Sequence, residues 1–243
     1  MFSFLQIYVL IQFYRFCLIK PVTQLLFLLK LLTMDLNIFL IAIIAINVII
    51  SFKGFEDVYF FRKYEFHVGS IRSGEQVRMV SSAFLHADIS HLAFNMLTLF
   101  FFAPYVYSTL NNFSFLLVYF GSLIFGSLLT MYFHKDDYSY RAIGASGAVT
   151  GIVYSAILLD SNILIYGFIP GILFGLLYLL YSIYGMKAKN DNIGHTAHFG
   201  GAIGGYVITL IKDPLLFTDN LFTVIVLAIP IIILFVMAKL GKL

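Results

Sequence analysis

Residues 144–151 read GASGAVTG, one serine framed by glycines at the head of an apolar run. A second run, AHFGGAIGG at 197–205, places a histidine just ahead of paired glycines. A serine hydroxyl is a weak nucleophile until a neighbouring base takes its proton, and histidine is the commonest side chain for that task. Ser146 and His198 therefore carry a first chemical reading, acyl transfer by a hydroxyl–imidazole pair. His91 and Asn95 also lie in an apolar stretch and, four apart, share one helical face. Polar side chains inside the membrane are expensive and mark functional sites by default. For His91 and Asn95 two readings stand: hydrogen-bonding glue between helices, or donors to a developing oxyanion.

The glycines bear on whether Ser146 and His198 can meet. Glycine costs about 1 kcal/mol per helical position relative to alanine, so something must offset it. Gly147 and Gly151 form a small-xxx-small pair, as do Gly201 and Gly205, and such pairs let helix backbones approach closely. At 100° per residue, Ser146 lies beside its pair, and His198 lies within about 60° of Gly201 and about 20° of Gly205. If those faces meet, the hydroxyl and the imidazole fall within hydrogen-bond reach. His195 points about 80° from Gly205 and about 120° from Gly201, which leaves it as a loop-edge residue bonding locally. His86, in FLHADISH, is expected to anchor a loop, and His67 and His134 read as surface residues without chemistry. No acid is placed to complete a triad, since Asp191 sits in the turn-like KNDN. The amide of Ser146 at a helix N-terminus, His91 and Asn95 would then hold the oxyanion.

These residues need elements to position them, and composition says which. Of 243 residues, 61% are hydrophobic and 11% charged, with mean hydropathy +0.96. A soluble domain carries about 25% charged residues, so this chain reads as an all-α polytopic membrane protein with one compact domain. The formal charge of +3 comes from scattered residues, and no basic stripe points to nucleic acid. Cys17 is the single cysteine, which excludes an intramolecular disulfide and, in its N-terminal setting, argues against a catalytic thiol. A spanning helix needs roughly 20 apolar residues, and such runs fall at 36–52, 89–110, 113–133, 144–160, 163–184, 196–212 and 221–238. Pro170 inside the fifth run and Pro230 inside the seventh are expected to bend their helices.

Residues 1–33 are apolar but broken by Arg15, Lys20-Pro21 and Lys30. They read as an interfacial amphipathic helix or as an extension upstream of a protein starting at Met34. The polar connection 53–88 carries Phe60, Phe61, Tyr64 and Phe66, which suggests a loop resting in the membrane interface.

GASGAVTG, HLAFN and AHFGGAIGG together resemble the three signature segments of the rhomboid intramembrane serine proteases, in the family's order and spacing over nearly all of 34–215. The resemblance implies Ser146 as nucleophile and His198 as base, with His91, Asn95 and Gly144 in the oxyanion region and no cofactor or metal. It implies a six-helix bundle over 34–215 whose short serine-bearing helix starts in a water-filled cavity, with 216–243 adding a seventh helix and tail. The implied partners are the lipid bilayer and transmembrane segments of substrate proteins; the basic pI, lone cysteine and short chain fit a bacterial inner (cytoplasmic) membrane and leave an organelle open. The fifth span would be a lateral gate and YGMKAKNDN a lid. The sequence departs from the pattern at Thr150, where some members stack an aromatic on the catalytic ring, and in lacking tryptophan, hence the Trp-Arg motif of the first loop. Family topology faces the active site outward. The positive-inside rule opposes it, since Lys53, Arg62, Arg72 and Arg78 would then lie outside. Two other readings remain: a rhomboid-like protein that binds membrane helices without cutting them, and a metal transporter built from His86, Asp88, His91, His195 and His198.

Overall fold

A computed structural model describes residues 37–165, 167–188 and 193–242. The readings of residues 1–33, Asp191 and the second half of the proposed lid, 189–192, fall outside them, while its first half, 184–188, ends a helix. Seven long helices lie among the described residues: α1 Ile38–Glu56, α2 Ile89–Leu110, α3 Asn112–His134, α4 Ser146–Leu159, α5 Gly171–Ala188, α6 His195–Lys212 and α7 Leu221–Lys239. Five of them, α1, α2, α3, α5 and α7, are long and apolar enough to cross a membrane. The fold is an all-α, multi-pass membrane bundle.

The helices invert the pattern of a soluble protein. The buried stripe of α1 is Leu40, Ile43, Asn47, Ser51 and Gly54, at spacings of three and four, and it mixes apolar with polar and small residues. Ile38, Ile41, Ile46 and Ile49 face outward instead. Hydrocarbon solvates isoleucine as well as a protein core does, so small and polar residues do the packing inside. Asn37 caps α1 by accepting from the amides of Phe39 and Leu40. The α2–α3 junction turns on Asn111, whose positive φ of 83° ends one helix while its side chain caps the next.

At the centre stands α4, 14 residues long and buried from Gly147 to Leu158. α6 packs on it as the spacing predicts: a methyl on Gly201 would strike the Gly147 carbonyl oxygen, and one on Gly205 the Gly151 carbonyl oxygen. α6 carries a second glycine pair that the spacing argument overlooks. Gly200 and Gly204 face α3, where added methyls would sit 2.8 Å from the Cα atoms of Gly126 and Ser122 respectively. One helix thus touches two neighbours backbone to backbone.

The connection between α1 and α2 is structured. Short helices at Val58–Tyr64, Val68–Arg72 and Arg78–Ser81 and a 3-10 turn at Ser82–Phe84 flank β1 (Phe66–His67). β1 pairs antiparallel with β2 (Arg141–Ala142), just upstream of the serine. Glu65 is buried and takes ion pairs from Arg62 and Arg141, while Arg78 donates to the carbonyls of Arg62 and Glu65 at 2.8 and 3.1 Å. A buried charge needs such partners, and here they tie the connection to the strand leading into the site.

Two expectations about proline are corrected or qualified. Pro170 does not bend α5; it ends a hairpin of β3 (Leu164–Ile165) and β4 (Ile169–Pro170), and the helix begins only at Gly171. The residue before a proline is pushed toward extended backbone, and Ile169 takes that option, so the fifth helix runs 171–188 rather than from 163. α7 continues through Pro230 as one helix, as α2 does through Pro104.

Candidate active site

The site forms where the strand pair, α4, α5 and α6 converge. Gly144 has a φ of +110°, a region side chains rarely adopt, and a Cβ there would stand 2.7–2.8 Å from the His91 ring. The chain can turn into α4 at this point only as glycine. Two backbone bonds fix the turn: the Gly144 amide donates to the Ser82 carbonyl at 3.0 Å, and the Ala145 amide donates to His86 Nε2 at 3.4 Å. Ser146 then heads α4, whose first amides have no acceptor within the helix.

Ser146 Oγ and His198 Nε2 lie 2.7 Å apart. The close backbone contact of α4 and α6 makes that distance possible, because no side chain separates the two helices. The other ring nitrogen, Nδ1 of His198, meets the Tyr178 hydroxyl of α5 at 2.9 Å. Both Ser146 and His198 are half-buried. A cavity of about 40 Å³ opens beside Ser146, lined among others by Ser82, Ile143, Gly144 and Ala197.

His91 and Asn95 flank the same turn. The Ala87 amide donates to His91 Nδ1 at 3.4 Å, so a neutral His91 ring carries its proton on Nε2, over Gly144. Asn95 is buried and donates one amide hydrogen to the His91 carbonyl at 3.0 Å, a bond within α2 and not glue between helices. His86 is deeper still. Ser51 donates to the Phe84 carbonyl at 3.0 Å and its oxygen meets His86 Nδ1 at 2.8 Å, which puts the ring proton on Nδ1 and leaves Nε2 to accept from Ala145. His86 thus joins α1 to the residue just before the serine, a more specific role than anchoring a loop.

The other histidines separate from the site. His195 is a correction: rather than lying at a loop edge, it opens α6 with its ring buried against Gly185 and the edge of Tyr181. The apolar flank of α5 draws it in, and it leaves His198 nearest the serine. His67 caps the helix Val68–Arg72 through Ser70, and His134 stacks on Tyr140 at 3.6 Å. Partial burial and then the guanidiniums of Arg141 and Arg78 hold the His67 pKa below the ordinary histidine value. For the metal reading, no three metal-ligating side chains converge among the described residues.

Tyr178 is the site residue that sequence reasoning missed. Its only signal was a hydroxyl within the apolar run LLYLLYSIYG, where Tyr181 and Tyr184 offer the same.

The bundle and its half-buried serine–histidine contact define a class, a polytopic helical membrane protein with a hydroxyl and an imidazole in hydrogen-bond contact. Residues 73–213 match the Rhomboid domain, more than half of the sequence, and the chain belongs to the rhomboid family. It is 35% identical over 143 residues to YdcA of Bacillus subtilis (strain 168), which bears a rhomboid-protease name, covering 58% of this chain and 69% of that protein. It is 27% identical over 175 residues to RHOMBOID-like protein 12, mitochondrial, of Arabidopsis thaliana, with 64% and 52% covered. Against Rhomboid protease GluP of Bacillus subtilis (strain 168) it is 32% identical over 140 residues, with 56% of this chain but 26% of that protein covered.

Proposed function

We propose that the chain is an intramembrane serine protease that hydrolyses peptide bonds in or near transmembrane helices of other membrane proteins. The observation that carries this reading is the 2.7 Å contact of Ser146 Oγ with His198 Nε2 at the head of a buried helix. In this reading Ser146 Oγ attacks the scissile carbonyl as His198 Nε2 takes the hydroxyl proton. The tetrahedral oxyanion is held by the Ser146 amide at the positive end of α4, by His91 Nε2–H and by the second amide hydrogen of Asn95. Gly144 contributes by leaving room for the His91 ring. His198 then gives its proton to the leaving amine, and water hydrolyses the acyl-enzyme by the same steps in reverse roles.

A substrate helix must unwind to expose its carbonyls, because helical peptide bonds are satisfied internally. The small cavity beside Ser146 suits a small side chain at the cut. Neither metal nor cofactor has a step in this scheme. We assign 34–215 to the protease domain, 216–243 to an appended helix and tail, and the protein to a bacterial inner membrane, with α5 as lateral gate.

A serine-directed fluorophosphonate probe is expected to label the purified protein but not Ser146→Ala, and His198→Ala is expected to lose cleavage of a transmembrane reporter while remaining folded. Undiminished cleavage by either variant would remove the pair. Binding of the reporter without cleavage by wild type would instead favour a non-catalytic helix-binding protein.

A further inference from the structure

We propose that Tyr178 is a positioning residue for His198, and that with Thr150 it closes a ring of hydrogen bonds that selects the reactive tautomer of the base. The inference rests on the reading of Ser146 and His198 as a catalytic pair. To act as a base toward Ser146, His198 must present a lone pair on Nε2 and carry its proton on Nδ1. Something must therefore accept the Nδ1 proton. The Tyr178 hydroxyl stands at that nitrogen, 2.9 Å away.

A tyrosine could also donate to Nδ1, which would put the ring proton on Nε2 and spoil the base. The direction is decided one residue further on. The Thr150 hydroxyl donates to the Ser146 carbonyl at 2.7 Å, so its oxygen is left as the acceptor that this circuit assigns to the Tyr178 hydroxyl. Tyr178 gives its proton to Thr150 and turns its oxygen lone pairs to His198. The sequence of donors then runs His198 Nδ1–H to Tyr178, Tyr178 O–H to Thr150, and Thr150 O–H to the Ser146 carbonyl. It ends on the residue whose hydroxyl faces Nε2, so all four groups point one way around. The two rings lie within 24° of parallel at 6.0 Å, and Phe174, one turn earlier on α5, stacks on the Tyr178 ring at 5.6 Å. Thr150, read from sequence as a departure from the family pattern, acquires a role: a small hydroxyl there admits a tyrosine from α5.

The test is a double-mutant cycle on reporter cleavage, read together with ¹⁵N NMR of the histidine ring. Tyr178→Phe keeps the ring and removes the acceptor, and is expected to lower kcat about 10–100-fold with KM and unfolding midpoint unchanged, as when a hydrogen-bond partner behind a functional histidine is lost. Thr150→Val, which keeps the shape, is expected to lower kcat less, and Thr150→Ser to recover most of that loss. The double variant Tyr178→Phe/Thr150→Val should be no slower than Tyr178→Phe alone, because both break one circuit. Wild-type kcat in Tyr178→Phe, or losses that simply multiply, would overturn the proposal. The spectrum is expected to show the Nδ1–H tautomer of His198 in wild type and its loss in Tyr178→Phe; an unchanged tautomer also overturns it. An inactive wild type with the expected tautomer would sink the protease reading while leaving the circuit standing.

Discussion

The two helices that touch His198 hold it in opposite ways. α6 meets α4 through glycines, with backbone against carbonyl, and leaves no rotamer freedom across the seam. α5 reaches the same imidazole through Tyr178 and packs elsewhere through soft side chains, such as Leu227 of α7 against Gly175. Close packing sets the distance between serine and histidine, and a single long side chain sets which way the imidazole faces. A seam of the first kind resists change, whereas an arm of the second kind can be lengthened, shortened or swapped.

The largest effect should come from removing the groups that the seam brings together. Ser146→Ala is expected to cut cleavage by about 10⁴-fold or more with no fall in unfolding midpoint, and a midpoint drop would mean that the hydroxyl serves packing. Next is the seam itself. Gly201→Ala drives a methyl into the Gly147 carbonyl oxygen, which no rotamer relieves, and should lower stability by about 3 kcal/mol, measured by denaturant unfolding in micelles, with loss of probe labelling. Asn95→Ala is expected to lower kcat by about 10²-fold, the scale of one lost oxyanion donor, with kinetics as the check.

The same methyl on the other helix sharpens the contrast. Gly175→Ala meets a Leu227 methyl at 2.7 Å, the end of a flexible side chain, and should change stability by under about 1 kcal/mol. A cost equal to that of Gly201→Ala would erase the distinction between seam and arm. Smallest of all is a pH effect far from both. Folding lowers the His67 pKa, so the stability it lends is complete above about pH 6.5, the ordinary histidine value, and is lost as pH falls through the folded pKa. Amide exchange over residues 67–73 should therefore quicken in acid beyond its intrinsic rate, and His67→Gln should remove the excess.

Much of this was legible in the sequence, for reasons that are local. Apart from the start of α5, apolar runs mark the long helices within a few residues because hydrocarbon thickness fixes their length. The glycine spacing foretold the contact of α4 with α6 because helical periodicity turns sequence separation into a face. What escaped depends on partners far along the chain. Glu65 meets Arg141 across 76 residues, so 53–88 read as a loop rather than as a folded cap on the site. Tyr178 differs from Tyr181 and Tyr184 only in what α6 presents to it, and His86 gains its meaning from Ser51 on one side and Ala145 on the other. The start of α5 was misplaced because apolar content outweighed the signal of Pro170.

The length of α4 has its own consequence. A rod of 14 residues is about 21 Å tall at 1.5 Å per residue, standing in a slab about 30 Å thick. The shortfall must be made up by non-helical chain, and in hydrocarbon such chain survives only when protein or water covers it. Depth below the lip is thus a matter of arithmetic, and two more turns inserted after Ser146 would lift the hydroxyl to the rim and leave no well to fill.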